Sequence, residues 1–181
     1  MKLHLGSGKR YLEGYTHVDL SNYPHIDFRQ SIDNLYNFED ESVDEIYASH
    51  VFEYFDRDKA LEVLHDWRRV LKTGGLLRLA VPNFDALIEV YKSTNDIKKI
   101  LGPLYGKWEV EKDKYIFHKL VYNESLLKEI LEAAGFNNIR YWDWKKVFEK
   151  DNNYDDHSQA YFPHMDKKKG IHISLNLEAN K

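Results

Sequence analysis

A glycine turn and an aspartate are the first residues whose types and spacing could do chemistry. Gly6-Ser7-Gly8 follows the apolar run Met1–Leu5, and Asp19 lies at the end of the segment Thr16–Leu20. Glycines let a backbone approach a ligand closely and adopt positive φ, and exposed amides beside them can hold an anion. A carboxylate at the end of a second strand can accept hydrogen bonds from both hydroxyls of a ribose. The pair favours a nucleoside ligand over an ordinary strand-to-loop turn.

The spacing argues against NAD as that ligand. The dinucleotide fingerprint needs a third glycine three residues after the second, and an acid about 20 residues further on. Here the third position holds Tyr11, and Asp19 follows Gly6 by only 13 residues.

Strand and helix patterns alternate along the chain and provide the elements that must position these residues. Helical spacing of apolar residues follows a cap at Asp56 or Asp58 and stops at Gly74-Gly75. The other predicted helices are Phe84–Leu101 and one that runs from an Asn123 cap to Gly135. The predicted strands are Met1–Leu5, Thr16–Leu20, Ile26–Gln30, Asp44–Ser49, Leu76–Val81, Ile139–Trp144 and Ile171–Leu177.

This alternation predicts an α/β sandwich with a mainly parallel sheet, in one domain over residues 1–181. No helical pattern joins the last two strands, so an antiparallel pair is expected at that edge. Ligands of such sheets sit beyond the carboxyl ends of the strands, beside the first strand. The long connection Glu149–Gly170 is expected to be functional, since long loops in compact domains usually are.

Composition excludes several classes of protein. The net charge of −4 disfavours a nucleic-acid partner, and the lack of Cys excludes disulfides, thiolate zinc sites and cysteine nucleophiles. No apolar run approaches the roughly 18 residues of a membrane helix. With informative sequence from Lys2 onwards there is no room for a signal peptide, and a cytoplasmic location is expected. Aromatic residues make up 14% and could fill the core or line a cleft.

Four segments resemble the class I S-adenosylmethionine-dependent methyltransferases, and most of all a small bacterial subgroup of predicted methyltransferases. They are Leu3–Leu12 (LHLGSGKRYL), Asn37–Tyr47 (NFEDESVDEIY), Arg69–Gly75 (RVLKTGG) and Ala133–Phe136 (AAGF). The resemblance implies a Rossmann-like, seven-stranded sheet and S-adenosyl-L-methionine as cofactor. It places the glycine turn at the methionine moiety, Asp19 at the ribose and Leu20 on one face of the adenine. It places Ile32 and Asp33 at the other face of the adenine and at its amine, and Ser49 and His50 near the sulfonium. The implied cofactor-binding set is Leu5, Gly6, Ser7, Gly8, Asp19, Leu20, Ile32, Asp33, Ser49 and His50.

Two departures from the family pattern concern the first loop. The family usually has an acid where this chain has His4, and a third glycine where it has Arg10. Only ten residues separate Gly8 from Asp19, too few for a crossover helix and a strand. The first helix is therefore expected to be shortened or absent, which leaves the methionine end of the cofactor more exposed.

Methyl transfer to a hydroxyl needs alignment of donor and acceptor and a base whose pKa lies near neutrality, and histidine is the natural candidate. His50 is the first choice because it follows the fourth strand, with Tyr54 further along the same wall. His118, where related methyltransferases often carry a histidine, is either a base or a structural tie. His157 lies beside Asp155 and Asp156, which could orient it, but the alternative is that this segment is only a solvated loop. The spacing of His157 and His164 matches no familiar metal-ligand pattern, so no metal is expected.

The predicted function is methyl transfer to a small acceptor, with an oxygen of a glycan or glycan precursor as the expected target. A carbohydrate is thus the expected partner, with no nucleic acid or membrane involved. Two other functions stay open. One is a transferase of the same fold, such as an aminopropyl transferase, and the other is a non-catalytic cofactor-binding module.

Overall fold

The computed structural model describes residues 1–150 and 154–181. The predicted functional connection Glu149–Gly170 therefore includes three residues outside the described part of the chain. The strands are β1 (Lys2–Leu5), β2 (Thr16–Asp19), β3 (Phe28–Arg29), β4 (Val43–Ser49), β5 (Leu71–Pro82), β6 (Trp108–Glu111), β7 (Lys114–Ile116), β8 (Asn137–Tyr141), β9 (Tyr161–Phe162), β10 (Ile171–His172) and β11 (Ser174–Asn180). The helices are α1 (Arg57–Val70), α2 (Phe84–Thr94), α3 (Lys98–Tyr105), α4 (Glu124–Ala133) and the short α5 (Trp144–Val147).

Seven strands form one sheet in the order β3-β2-β1-β4-β5-β11-β8. The first five pair in parallel, and β11 runs antiparallel to both of its neighbours. This confirms the predicted mainly parallel Rossmann-like sheet with an antiparallel pair at one edge, although the reversed strand is second from that edge. The chain moves outward from β1 to β3 and then returns to place β4 on the other side of β1. The switch point of the sheet therefore lies between β1 and β4, where parallel sheets bind ligands.

The central strands are buried on both faces, because neighbouring residues of a strand point to opposite sides. Ile46 and Ala48 of β4 join the main core, which α1 and α4 cover. Tyr47, between them, joins a second cluster on the opposite face with Trp142, Phe148 and Tyr154. Neighbouring side chains of β4 therefore pack into separate apolar clusters on the two faces of the sheet.

The connection between β1 and β2 contains turns and no helix in residues 6–15, so the expectation of a shortened or absent first helix is confirmed. Aromatic rings take its place on this face. His4 packs 5.2 Å from Tyr47 between ring centroids, and Tyr11 stacks on His17 at 5.1 Å. The Nε2 atom of His17 accepts a 2.9 Å hydrogen bond from the backbone N–H of Leu12. Much of the unusual aromatic content thus serves to cover the sheet where the helix is missing.

Several predicted boundaries are wrong, each because a local contact overrides the pattern. Helix α1 ends at Val70 rather than at Gly74-Gly75, since β5 begins at Leu71 and pairs with β4 across an irregularity in register. The helix predicted over 84–101 is two helices, interrupted where Asn95 adopts a left-handed conformation. Trp144 begins α5 instead of ending β8, and the last predicted strand divides into β10 and β11. The hairpin β6–β7 was not among the predicted elements. No helix of the described residues is both long and apolar enough to cross a membrane.

Trp67 connects α1 to the wall of the ligand site, and replacing it with Phe should reveal the strength of that link. Its indole is fully buried and donates a 2.7 Å hydrogen bond to the carbonyl of Ile32. Trp67→Phe removes the donor and some packing, so we expect the free energy of unfolding to fall by about 1–3 kcal/mol. Urea denaturation measures this. His65→Ala, on the exposed side of the same helix, should change it by less than about 0.5 kcal/mol. Equal effects would show that the indole bond carries no stability.

Candidate functional site

A cavity of about 850 Å³ opens at the carboxyl ends of β1, β2 and β4, the switch point of the sheet. It contains every predicted cofactor-binding residue except Leu5, together with all four predicted catalytic residues, which are His50, Tyr54, His118 and His157. Leu5 is fully buried in β1 behind the turn and does not line the cavity. The fold thus brings together residues that lie more than 150 positions apart in sequence.

The turn after β1 has glycine where a side chain could not fit. Gly6 has a φ of +64°, and a Cβ atom there would lie 2.2 Å from Cγ1 of Val51. Gly8 has a φ of +54°, and Trp108 packs 3.4 Å from the position of its Cβ. Between them the hydroxyl of Ser7 is buried and has no hydrogen-bond partner. The turn therefore lines the cavity closely with backbone and carries a buried hydroxyl that lacks a partner.

The carboxylate of Asp19 holds this turn against β2. Its Oδ2 accepts a 2.8 Å hydrogen bond from the backbone N–H of Gly8, and its Oδ1 accepts one of 2.7 Å from the N–H of Ser21. The side chain is buried but lines the cavity. Each carboxylate oxygen can accept a second hydrogen bond, so the group is oriented in advance and still able to receive ligand hydroxyls.

An apolar slot continues from Asp19. Leu20 is 42% exposed even though it is a large aliphatic residue beside a buried strand, and it faces the cavity with Ile32. Asp33 follows, with one of its oxygens 3.7 Å from Nζ of Lys59. An exposed leucine and a carboxylate at the end of the slot suit a flat ring that carries an amino group.

His50 follows β4 directly, in a left-handed conformation with a φ of +53°. Its Nε2 lies 3.0 Å from Oγ of Ser174, whose own hydrogen is donated to Oδ1 of Asn176. Because the serine oxygen must accept here, the proton of neutral His50 sits on Nε2. Burial is the main cause that lowers the pKa of His50 well below its ordinary value, so the ring is neutral at pH 7. Beside it the hydroxyl of Ser49 is buried and unpaired.

His118 is held in a similar way. Its Nδ1 lies 2.9 Å from the carbonyl of Pro103, which can only accept, so the proton is on Nδ1. Burial lowers the pKa of His118. Gly106 packs so closely that a Cβ there would lie 2.2 Å from the Nε2 atom of His118. The ring of Tyr54 meets that of His118 edge to face, with centroids 4.7 Å apart.

Glu53 lies behind both histidines and is fully buried, with neither carboxyl oxygen hydrogen-bonded. Its Oε1 is 3.6 Å from Nδ1 of His50 and 3.6 Å from Nε2 of His118. These are the nitrogens that carry lone pairs, so an ionised carboxylate would face two acceptors with no donor. Burial raises the pKa of Glu53 to about 8, which keeps it a neutral acid at pH 7. Both of its neighbouring imidazoles are therefore directed at this acid rather than at the cavity.

His157 is the predicted catalytic residue whose nitrogens are uncommitted. It begins a short 3₁₀ turn, lines the cavity, and packs 5.3 Å from His50 between ring centroids. Among the described residues nothing forms a hydrogen bond with its ring. Burial and the charge of Arg10 lower its pKa, so the ring is a neutral acceptor at pH 7. Burial raises the pKa of Tyr54, which therefore presents a phenol donor and not a base.

Several residues of the cavity were not singled out from the sequence. Trp108 and Ile116 come from the hairpin β6–β7, and Tyr161 and Met165 come from the connection before β10. Alternation of charged and apolar residues around Lys112-Asp113 is the signal that could have indicated the hairpin. Arg10 was noted only as a departure from a family pattern. Among the described residues no group of three or more His, Asp or Glu has positions suited to a metal ion.

The residues of this cavity fit an adenosyl cofactor. The two unpaired serine hydroxyls lie on the turn and at the end of β4, on either side of the switch point. Gly6 leaves no room for a side chain, and the exposed face of Leu20 needs an apolar cover. Together these features form a site in which polar groups still lack their partners.

Comparison with known proteins agrees with this fit. Residues 9–79 match the family model described as a methyltransferase domain. A SAM-dependent methyltransferase from Archaeoglobus fulgidus is 18% identical, with a TM-score of 0.57 over 99% of this chain and 85% of that one. One from Methanosarcina mazei is 15% identical, with a TM-score of 0.59 over 99% and 91%. A Burkholderia thailandensis N1-methyltransferase, solved with 1,6-didemethyltoxoflavin and S-adenosylhomocysteine, is 14% identical, with a TM-score of 0.56 over 99% and 70%. No curated protein matches significantly.

The sheet order and the glycine turn define a class I methyltransferase fold, which the solved structures share. The methyltransferase-domain model matches residues 9–79, which is less than half of the chain. The chain is therefore similar to S-adenosylmethionine-dependent methyltransferases in this segment and in its fold.

Gly6→Ala tests how closely the turn is packed. Left-handed backbone alone penalises alanine by about 1 kcal/mol, and the clash with Val51 should add about 1–3 kcal/mol. Gly14→Ala is the matched control, because Gly14 has a φ of +80° in the same loop and nothing lies within 4 Å of its Cβ position. Urea denaturation of both variants should show the larger loss for Gly6→Ala. Equal losses would mean that the backbone beside Val51 relaxes freely.

Glu53→Gln should alter how stability depends on pH. The folded protein holds a proton on Glu53 up to about pH 8, whereas an ordinary Glu releases it near 4.5. Between these values the folded state binds more protons, so the contribution of this group to the free energy of unfolding falls as pH rises. The free energy of unfolding of the variant should therefore rise relative to that of the wild type by roughly 1.4 kcal/mol for each pH unit in that window. Denaturation at pH 5, 6.5 and 8 measures the gain. Glu132→Gln, at an exposed position, should show no such pH-dependent gain. If the difference in free energy of unfolding between Glu53→Gln and the wild type did not change with pH, Glu53 would not be a neutral buried acid.

Proposed function

We propose that this protein is an S-adenosylmethionine-dependent methyltransferase that acts on a hydroxyl of a small acceptor, with a carbohydrate as the acceptor class. The observation that carries the proposal is that the cavity joins the adenosyl-type site to an imidazole with open nitrogens, that of His157. A hydroxyl acceptor must lose a proton as it is methylated, and a neutral histidine is suited to accept it. The Tyr54, Trp108 and Tyr161 rings on the cavity wall support a carbohydrate, because aromatic rings offer apolar faces with polar tips.

In this proposal the residues divide into those that hold the cofactor and those that serve the acceptor. The glycine turn, Asp19, Leu20, Ile32, Asp33 and Ser49 hold the cofactor, and Leu5 supports the turn from the core. The bound cofactor supplies a methyl group already activated by its sulfonium. The protein therefore has to align the acceptor and exclude water, and such positioning can be worth roughly 7–11 kcal/mol.

The four predicted catalytic residues take different parts. His157 accepts the acceptor proton. His50 and His118 each have one nitrogen engaged, with Ser174 and with Pro103, and the other 3.6 Å from Glu53, so they shape the wall and hold it in place. Tyr54 donates a hydrogen bond from its phenol. The cytoplasmic location and the absence of a nucleic-acid partner stay predictions from the sequence.

Transfer of label from S-adenosylmethionine to a panel of sugars, small amines, proteins and RNA tests the proposal. His157→Ala should leave binding of S-adenosylhomocysteine unchanged by calorimetry and lower transfer to a sugar by about 10²–10⁴-fold. Asp19→Asn should instead weaken that binding by about 10–100-fold, because charged hydrogen bonds to the ligand are lost.

The comparison variant is His164→Ala, which removes a second histidine of the same cavity. Equal losses of transfer in both variants would contradict the role of His157. Transfer to an acceptor other than a sugar would overturn the carbohydrate assignment. Cofactor binding without transfer to any acceptor would favour the non-catalytic module.

A further inference from the structure

The turn after β1 has already used most of its backbone donors. The N–H of Gly6 donates to the carbonyl of Val18, that of Gly8 to Asp19, and that of Arg10 to the carbonyl of Ser7, at 2.8, 2.8 and 3.0 Å. Helix N-termini bind anions through free N–H groups, and no helix begins in residues 6–15. The turn thus lacks the array of amides that would ordinarily receive a negative group here.

Arg10 brings a cation to the place where those amides are missing. Its side chain lines the cavity, and its Nε donates a 2.8 Å hydrogen bond to the carbonyl of Asp155. This bond fixes one edge of the guanidinium. The two terminal nitrogens have no hydrogen-bond acceptor among the described residues, and no carboxylate of those residues forms an ion pair with them.

The charge of Arg10 acts on the site itself. It contributes to the lowered pKa values of His50 and His157, after the larger effect of burial for both. The other cations around the cavity already have neighbours. Lys59 lies near Asp33 and Glu62, Lys119 lies 3.8 Å from Asp56, and Lys107 lies over the ring of Tyr115. Arg10 is therefore the cavity cation with capacity for an anion brought by a ligand.

We propose that the terminal nitrogens of Arg10 bind the carboxylate of the methionine moiety of S-adenosylmethionine. The inference rests on the cofactor assignment above. The guanidinium takes over the role of the missing amides, and its planar fork matches a carboxylate through two parallel hydrogen bonds. Arginine at this position then compensates for the lost helix instead of weakening the site.

Calorimetry with two ligands tests this inference. S-Adenosylhomocysteine carries the amino-acid carboxylate, whereas 5′-methylthioadenosine has the same nucleoside and sulfur without it. The wild type should bind the first ligand more tightly. Arg10→Gln should weaken binding of S-adenosylhomocysteine by about 10–100-fold and leave that of 5′-methylthioadenosine unchanged. The affinity of Arg10→Lys for S-adenosylhomocysteine should lie between those of the wild type and of Arg10→Gln. An ammonium keeps the charge of the guanidinium but not its planar fork.

Lys9→Gln is the matched control, since it removes the same charge from the neighbouring exposed residue. It should leave both affinities within about twofold of the wild type. Retained affinity for 5′-methylthioadenosine shows that an Arg10 variant is folded. Equal weakening of both ligands, or of neither, would overturn the inference. If the wild type binds neither ligand, the cofactor assignment itself fails and this inference fails with it.

Discussion

The site depends on one carboxylate that joins two parallel strands. Asp19 receives the N–H of Gly8 and the N–H of Ser21, so one side chain orients both the turn after β1 and the start of the chain after β2. Two charge-assisted hydrogen bonds inside a buried setting are stronger than their counterparts in water. Gly6 can then adopt its left-handed conformation against Val51, and the hydroxyl of Ser7 is buried beside the cavity without a partner. The structure of the turn and the position of a cavity-lining carboxylate therefore come from the same group.

Loss of the first crossover helix changes what must cover the sheet. Rings from the opening loop pack there, and the part of the chain after β8 supplies Trp142, Phe148 and Tyr154. Trp142 donates to the carbonyl of Leu79, and Tyr47 donates to Asp156, which also accepts from Tyr154. These bonds hold the segment that carries His157 against the sheet. The residues that cover this face of the sheet thus also anchor the segment that carries His157.

The buried acid behind the cavity explains why two of the histidines are not suited to be free bases. Glu53 sits between His50 and His118, and the other nitrogen of each ring is occupied by Ser174 or Pro103. All three groups are neutral near pH 7, so a polar cluster is buried without a net charge. The cluster joins β4 to the segment that follows the hairpin β6–β7, and it holds that wall of the cavity in one position.

The sequence by itself determined the mainly parallel α/β sheet and the missing first helix. These features follow from local patterns: apolar runs, a glycine turn and the ten residues before Asp19. Only the tertiary structure decided which histidine has open nitrogens and where the charge of Arg10 is directed. Those properties depend on contacts such as His50 with Ser174 and Arg10 with Asp155, separated by 124 and 145 positions. No periodicity reports a hydrogen bond at that separation, because its geometry exists only when the sheet has formed.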